Sequence, residues 1–110
     1  MRFSQALERI SGTVVTGDPE SLEVSQGITC DLLSEVMSHN GKADLWITVQ
    51  SHSNIVAVAL IVGVKAIILA NGRDYNADTV QKARDENVLL VKSPLGGFEL
   101  SGIFYEMLQG

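Results

Sequence analysis

Apolar runs separated by short polar breaks are the main feature of the chain, and the pattern is clearest between residues 44 and 64. The continuous apolar run Leu45–Val49 is typical of a strand buried on both sides of a sheet. A polar segment, Gln50–Asn54, comes next, and the apolar run Ile55–Val62 then has the length of a helix. Asn54 is the expected N-cap of this helix, and Gly63 is its expected end.

The same alternation continues toward the C-terminus. Strands are predicted at Ala66–Ala70 and Val88–Val91, and helices at Ala77–Glu86 and Phe98–Leu108. Repeated strand–helix units form parallel sheets with right-handed crossover connections. The predicted fold class is therefore α/β, a layered parallel or mixed sheet with flanking helices.

The first forty residues carry a weaker pattern. Apolar residues at helical spacing predict a short opening helix that ends near Gly12, and the β-branched run Thr13–Thr16 is typical of a strand. A second, half-exposed strand is predicted at Leu22–Ile28 and a helix at Asp31–His39. Because no linker, repeat or low-complexity segment interrupts the pattern, residues 1–110 are expected to form one domain.

Three predicted strand-to-helix loops should meet at one edge of the sheet, namely Gln50–Asn54, Asn71–Asn76 and Ser93–Gly97. Glycines that allow close approach and free helix N-terminal amides suit an anionic or nucleotide-like small molecule. Each side chain also has a simpler interpretation, because a loop histidine, a helix-capping asparagine and a solvated arginine are common in such loops. The candidate ligand-binding residues of these loops are Gln50, His52, Asn54, Arg73 and Ser93.

Charge and composition exclude several classes of function. The net charge is −5 and the eight Lys and Arg residues are scattered, which argues against binding to nucleic acid. Cys30 is the single cysteine, so an internal disulfide is excluded, and a buried, unreactive thiol is expected. The apolar stretch 55–70 falls short of the roughly 20 residues that span a bilayer. We therefore expect a soluble, cytoplasmic protein without a membrane partner.

No catalytic constellation is evident in the sequence. Ser51 and Ser53 lie too close to His52 along the chain to form a nucleophile–base–orienter triad with it. The chain also lacks a P-loop, a GxGxxG motif and an HExxH motif. We expect no catalytic residue, cofactor or metal. A small transferase or hydrolase with His52 as base is the alternative, and it requires Asp31 within hydrogen-bond reach of His52.

The predicted helix Ile55–Val62 is hydrophobic on all sides, so its outer surface needs a cover. Within one chain, the helix Phe98–Leu108 could provide it. Otherwise a second subunit would do so, and the sequence favours this homodimer because exposed apolar patches mark association.

Four segments resemble the DRTGG domain family, most closely its small stand-alone members near iron-only hydrogenase genes. They are CDLLSEVM (30–37), DLWITVQSHSNIVAVA (44–59), AIILANGR (66–73) and FELSGIFYEML (98–108). The family is related to the N-terminal domain of HPr kinase/phosphorylase and, more remotely, to the N-terminal domains of Mur ligases. The resemblance implies an α/β fold and a regulatory or dimerising role. It does not imply kinase activity, because that active site lies in a separate P-loop domain.

The resemblance also concerns individual residues. Asp31, Gln50, His52, Asn54, Gly72 and Phe98 match the family pattern, which adds Asp31 to the candidate ligand-binding residues. Gly97 is a departure, since the family commonly has a hydroxyl residue before this phenylalanine. If that hydroxyl caps the last helix or binds an anion, the role is either lost here or taken by Ser93.

These observations lead to one functional hypothesis and one main alternative. The hypothesis is a non-catalytic, dimeric regulatory module that senses a small ligand, with a link to hydrogenase or redox metabolism that follows from the resemblance. The alternative is an adaptor that contacts a larger enzyme and binds no small molecule.

Overall fold

A five-stranded mixed sheet forms the centre of the protein. The computed structural model describes residues 1–109. The strand order is β1-β5-β4-β3-β2, in which β2 to β5 run parallel and β1 runs antiparallel to β5. The predicted α/β class is confirmed, and so is the parallel arrangement after residue 44. The strands are β1 (Thr13–Thr16), β2 (Gly27–Thr29), β3 (Leu45–Thr48), β4 (Ala66–Leu69) and β5 (Leu89–Lys92).

Helices cover both faces of this sheet. The helices are α1 (Leu33–Met37), α2 (Asn54–Val62), α3 (Ala77–Glu86) and α4 (Gly97–Gln109), with short 3-10 helices at Phe3–Ala6 and Pro19–Ser21. Because β2 to β5 are neighbours in chain order, right-handed crossovers place α1, α2 and α3 together on what we call the three-helix face. The opposite face, which we call the α4 face, carries α4 and the N-terminal 3-10 helix.

Alternate residues of the central strands fill the two cores. On β3, Trp46 points into the three-helix face, whereas Leu45 and Ile47 point into the α4 face. Trp46 is fully buried, and its indole N–H donates to the Cys30 carbonyl oxygen at 2.6 Å, so its polar group is satisfied. On the other face, the rings of Phe3 and Phe104 pack with their centroids 6.0 Å apart.

The predicted strand Leu22–Ile28 is wrong in position. Leu22 and Val24 are buried as an alternating strand would bury them, but their segment forms only one isolated bridge, and β2 starts at Gly27. The Asp44 carboxylate explains the break, because its Oδ2 accepts from the Ser25 N–H at 2.8 Å and from the next backbone N–H at 3.2 Å. Donors bound to a side chain are not available to a sheet ladder.

Two predicted helices are shorter than the pattern suggested. The predicted helix Asp31–His39 contracts to α1 because the Asp31 carboxylate is used at the end of β3, and because the chain tightens into three-residue turns after Met37. The opening helix is a 3-10 helix followed by turns as far as Ser11.

One of the two covers that the sequence suggested for α2, the last helix, is wrong. Helix α2 lies between α1 and α3, whereas α4 packs on the opposite side of the sheet and does not touch it. The sheet and the two neighbouring helices together bury five of its nine residues, and Leu60 and Ile61 stay 44% and 58% exposed. Within residues 1–109, no helix has both the length and the apolar character that crossing a membrane requires.

Candidate functional site

The ends of the parallel strands form one continuous polar edge, which we call the carboxyl rim. It comprises residues 29–31, 49–54, 71–76 and 93–97. Backbone hydrogen bonds join two of the loops. The Asn71 N–H donates to the carbonyl oxygen of Leu95 at 2.8 Å, and the Gly72 N–H donates to the carbonyl oxygen of Ser93 at 2.9 Å. The convergence predicted for the three loops is therefore present, and the loops are held together as a unit.

The loop after β4 turns sharply at Asn71 and Gly72. Both residues have a φ of 65°, and the Arg73 N–H returns to the Ala70 oxygen at 3.4 Å. Two successive left-handed residues define a type I′ turn, for which Asn-Gly is a favoured pair. The turn leaves Arg73 exposed at its end, and Arg73 forms no ion pair within residues 1–109.

Asp31 and Gln50 come together where β2 and β3 end. The Asp31 carboxylate accepts from the Thr48 hydroxyl and from the Val49 N–H, both at 2.9 Å. The Gln50 side-chain amide donates to the Asp31 carbonyl oxygen at 3.1 Å. This network fixes the first residues of the loop, and the side-chain oxygen of Gln50 has no partner within residues 1–109.

His52 is held by a residue that the sequence did not single out. Its Nδ1 lies 2.9 Å from the Asn76 side-chain nitrogen, and an amide nitrogen donates, so Nδ1 accepts and the neutral ring carries its proton on Nε2. The Asn76 N–H and the Thr79 hydroxyl both donate to the backbone carbonyl oxygen of Ser51, at 3.2 and 2.7 Å. His52 is therefore oriented with its Nε2–H free on the exposed side of the rim. The position of Asn76 directly before α3 was the only sequence signal for its role.

Asn54 and Ser93 occupy different environments from those expected. Asn54 is the first residue of α2 and not its cap, because the carbonyl groups of His52 and Ser53 bind the first N–H groups of the helix. Ser93 is only 1% exposed; its hydroxyl donates to the Ile10 oxygen and accepts from the Leu95 N–H at 3.1 Å. The Ser93 hydroxyl thus fastens the N-terminal segment to the rim and does not reach the start of α4.

The start of α4 lies at the β2 end of the rim. A side chain at Gly97 would come within 3.6 Å of Thr29, so the loop 93–97 crosses the rim from β5 to β2 before α4 begins. Beside Gly96, the Asn71 side-chain oxygen and the Glu99 carboxylate lie 3.4 and 3.0 Å from the place of a Cβ. Acceptors already surround the first turn of α4, so the positive charge available to an anion on the rim comes from Arg73.

The rim does not have the geometry of a histidine-based enzyme. The side-chain partners of Asp31 are Thr48 and Val49, and that of His52 is Asn76, so the required Asp31–His52 hydrogen bond is not formed in the described part of the chain. Among residues 1–109, no three His, Cys, Asp or Glu side chains gather as they would around a metal ion.

Comparisons with known proteins identify the fold. No protein-family model matches the chain, and no curated protein matches it. A solved structure of the CBS and DRTGG domains of the regulatory region of a Clostridium perfringens pyrophosphatase, complexed with the activator diadenosine tetraphosphate, superposes with a TM-score of 0.73. The match covers 91% of this chain at 15% identity. The chain spans 44% of the length of that structure. The DRTGG-like fold predicted from the sequence is therefore confirmed.

Proposed function

We propose that the protein is a non-catalytic regulatory module that binds a nucleotide-like or phosphorylated small molecule at the carboxyl rim and acts on a larger enzyme. The pyrophosphatase region with which it shares a fold is regulatory, and its structure contains the activator diadenosine tetraphosphate. The link to hydrogenase or redox metabolism rests on the family resemblance alone, and the cytoplasmic location rests on the sequence, whose apolar stretch 55–70 is too short to span a bilayer. We propose them as the setting of this module.

The observation that carries this proposal is the rigid arrangement of polar groups along the rim. The fold holds Gln50 and His52 in place, while the Gln50 oxygen and the His52 Nε2–H have no partner within residues 1–109. Arg73 adds an exposed guanidinium, which suits the oxygens of a phosphate. A donor, an acceptor and a cation on a fixed frame are the groups needed to recognise a polar, phosphorylated molecule. In this proposal Asp31 acts as the support of Gln50, and Ser93 contributes through its backbone.

The openness of the rim suggests how such a ligand is enclosed. His52, Asn54 and Arg73 are exposed, and a concave site usually buries most of a small ligand. A second surface must therefore cover the ligand, either a second copy of this chain or the larger enzyme. This arrangement supports a module whose ligand changes its association with a partner.

Isothermal titration and thermal-shift measurements with adenine nucleotides, dinucleoside polyphosphates and sugar phosphates test the proposal. We expect at least one compound to raise the melting temperature, and we expect Arg73→Ala to weaken its binding at least tenfold. Arg84→Ala is the matched control, because Arg84 is an exposed arginine in the last turn of α3, away from the rim. Equal affinities of the parent and Arg73→Ala, or no stabilisation by any compound, would contradict the proposal.

A second candidate function is an adaptor without a small ligand, and the exposed apolar side chains of α4 favour it. Phe98 and Tyr105 are 93% and 69% exposed. An adaptor would retain a stoichiometric protein partner while every compound in the ligand screen fails to bind. Loss of that partner in Phe98→Ser, with retention in Arg73→Ala, would support the adaptor over the ligand-binding module.

A further inference from the structure

The outward face of α4 carries a symmetric arrangement of side chains. Phe98 and Tyr105 lie two turns apart, and Gly102 lies between them on the same side of the helix. A groove of about 710 Å³ runs along this face, with Arg9 and Glu106 at one border. Apart from the adjoining residues and backbone of α4 itself, a side chain at Gly102 would meet nothing in residues 1–109 within 4 Å, so the middle of the face is open.

We infer that this face is the contact between two copies of the chain, with the two α4 helices packed antiparallel and crossing at Gly102. The inference rests on the second copy that the proposed function offers as a cover for the ligand, and it moves the dimer contact expected from the sequence from α2 to α4. A two-fold axis at Gly102 places Phe98 of each copy beside Tyr105 of the other. The aromatic rings of the two copies thus pack against each other on either side of the crossing point, and the absent side chain of Gly102 lets the two helices approach closely.

Charge on the face also suits a second copy. The two acidic residues of α4, Glu99 and Glu106, have no lysine or arginine partner on the helix itself. Arg9 binds Glu106 at 3.1 Å within the chain. In the antiparallel arrangement, Glu99 of one copy comes near Arg9 of the other, because position 99 lies opposite position 105. Each arginine then lies between two carboxylates, and the two helix dipoles oppose each other.

The available surface is sufficient for a specific dimer of moderate size. Phe98 and Tyr105 together expose about 300 Å². A helix of thirteen residues is about 20 Å long, and its outward face with the border around Arg9 brings the area to about 600 Å² per copy. Such an area corresponds to the lower end of specific interfaces. The exposed part of α2 is smaller, since it consists mainly of Leu60 and Ile61.

Sedimentation velocity over a dilution series, from micromolar to several hundred micromolar, tests the inference. We expect the parent to dimerise within this range. We expect Gly102→Gln and Phe98→Ser each to raise the dimer dissociation constant at least tenfold. The added side chain in Gly102→Gln meets open space and favours the helix, so this variant should fold as well as the parent.

Ile61→Gln is the matched control, since it removes an exposed apolar side chain from α2. A parent that stays monomeric throughout would overturn the inference, and so would a loss of dimer in Ile61→Gln that equals the loss in Gly102→Gln. Titration of monomeric Gly102→Gln with the nucleotide, dinucleoside polyphosphate or sugar phosphate that stabilises the parent distinguishes a failure of the dimer from a failure of the ligand site. Retained binding would leave the ligand site in place whatever the outcome for the dimer.

Discussion

Helices α2 and α4 show that the most hydrophobic helix of a chain need not be the one with the most exposed apolar side chains. Helix α2 contains no charged residue, yet the sheet and the flanking helices α1 and α3 bury five of its nine residues. Helix α4 contains two glutamates, and its sequence has the pattern of an ordinary amphipathic helix, but it exposes the Phe98 side chain almost completely. The number of neighbouring helices on each face of the sheet decides the exposure.

The cause of this difference is the order of the strands. Because β2 to β5 follow one another across the sheet, their three connecting helices lie side by side and α2 occupies the middle. Helix α4 connects no further strand and shares the opposite face with a single 3-10 helix. Its buried side packs on the sheet through Leu100 and Phe104, and its outer side leaves Phe98 and Tyr105 exposed.

The largest effect should come from placing a charge on the covered side of α2. Val56 is fully buried, so Val56→Asp should lower the free energy of unfolding by more than about 4 kcal/mol, because an unpaired carboxylate would be buried. Ile61→Asp, in the same helix but 58% exposed, should cost within about 1 kcal/mol. Urea denaturation measures both. Similar losses in the two variants would mean that α1 and α3 do not cover α2.

A somewhat smaller effect should distinguish the two sides of α4. Phe104→Ala removes a ring that is 3% exposed and contacts Phe3, so it should lower the free energy of unfolding by about 3–4 kcal/mol. Phe98→Ala should change the stability of the monomer by less than about 0.5 kcal/mol. Chemical denaturation at low protein concentration gives both values. A large loss in Phe98→Ala would show that α4 packs by its other side.

The two tyrosines also differ in burial, and for Tyr75 this burial should make the stability of the protein depend on pH. The Tyr75 hydroxyl donates to carbonyl oxygens of β4 and β5 at 3.0 and 2.7 Å, and burial raises the pKa of this phenol above its ordinary value near 10. Near neutral pH, Tyr75→Phe should therefore cost about 1 kcal/mol. A raised folded-state pKa stabilises the fold fully below the unfolded pKa, and this contribution declines as pH rises above it.

The difference in stability between the parent and Tyr75→Phe should thus shrink and then reverse between about pH 9.5 and pH 11. Denaturation curves at several pH values measure it. Tyr105 is 69% exposed, so Tyr105→Phe should change the stability of the monomer by less than about 0.5 kcal/mol near neutral pH. A constant difference between the parent and Tyr75→Phe across this range would contradict the buried, neutral phenol.

The smallest effects on stability should come from replacing the glycine that ends α2 and a glycine inside α4, and these two effects should have opposite signs. Gly63 ends α2 with a φ of 85°, so Gly63→Ala should destabilise the protein by about 1 kcal/mol. Gly102 lies inside α4 with open space around it, so Gly102→Ala should stabilise the monomer by about 0.5–1 kcal/mol. Melting temperatures at low concentration compare the two, and shifts of the same sign would contradict the assigned conformations.

Sequence reasoning succeeded where the structure depends on neighbours along the chain. The apolar run of β3, the polar break after it and the apolar run of α2 identify a strand–loop–helix unit, and repetition of such units forces parallel strands. The Asn71-Gly72 pair likewise determines a local turn. These features need no knowledge of distant residues.

Features that depend on distant residues were missed or misplaced. The start of β2 depends on the Asp44 carboxylate nineteen positions after Ser25, and the orientation of His52 depends on Asn76 from another loop. Ser93 was predicted to bind a ligand at the rim, yet its hydroxyl donates to the carbonyl oxygen of Ile10, a residue 83 positions earlier in the chain. Residue type and spacing carry no information about such long-range partners.

The pairing of β1 with β5 has a consequence for synthesis on the ribosome. The Thr16 hydroxyl donates to the Val88 oxygen and accepts from the Leu90 N–H, which lies 74 residues further along the chain. Strand β1 therefore cannot join the sheet until β5 has been translated. Long loops of this kind close slowly, so the nascent chain leaves β1 without its sheet partner for most of the time between the two strands.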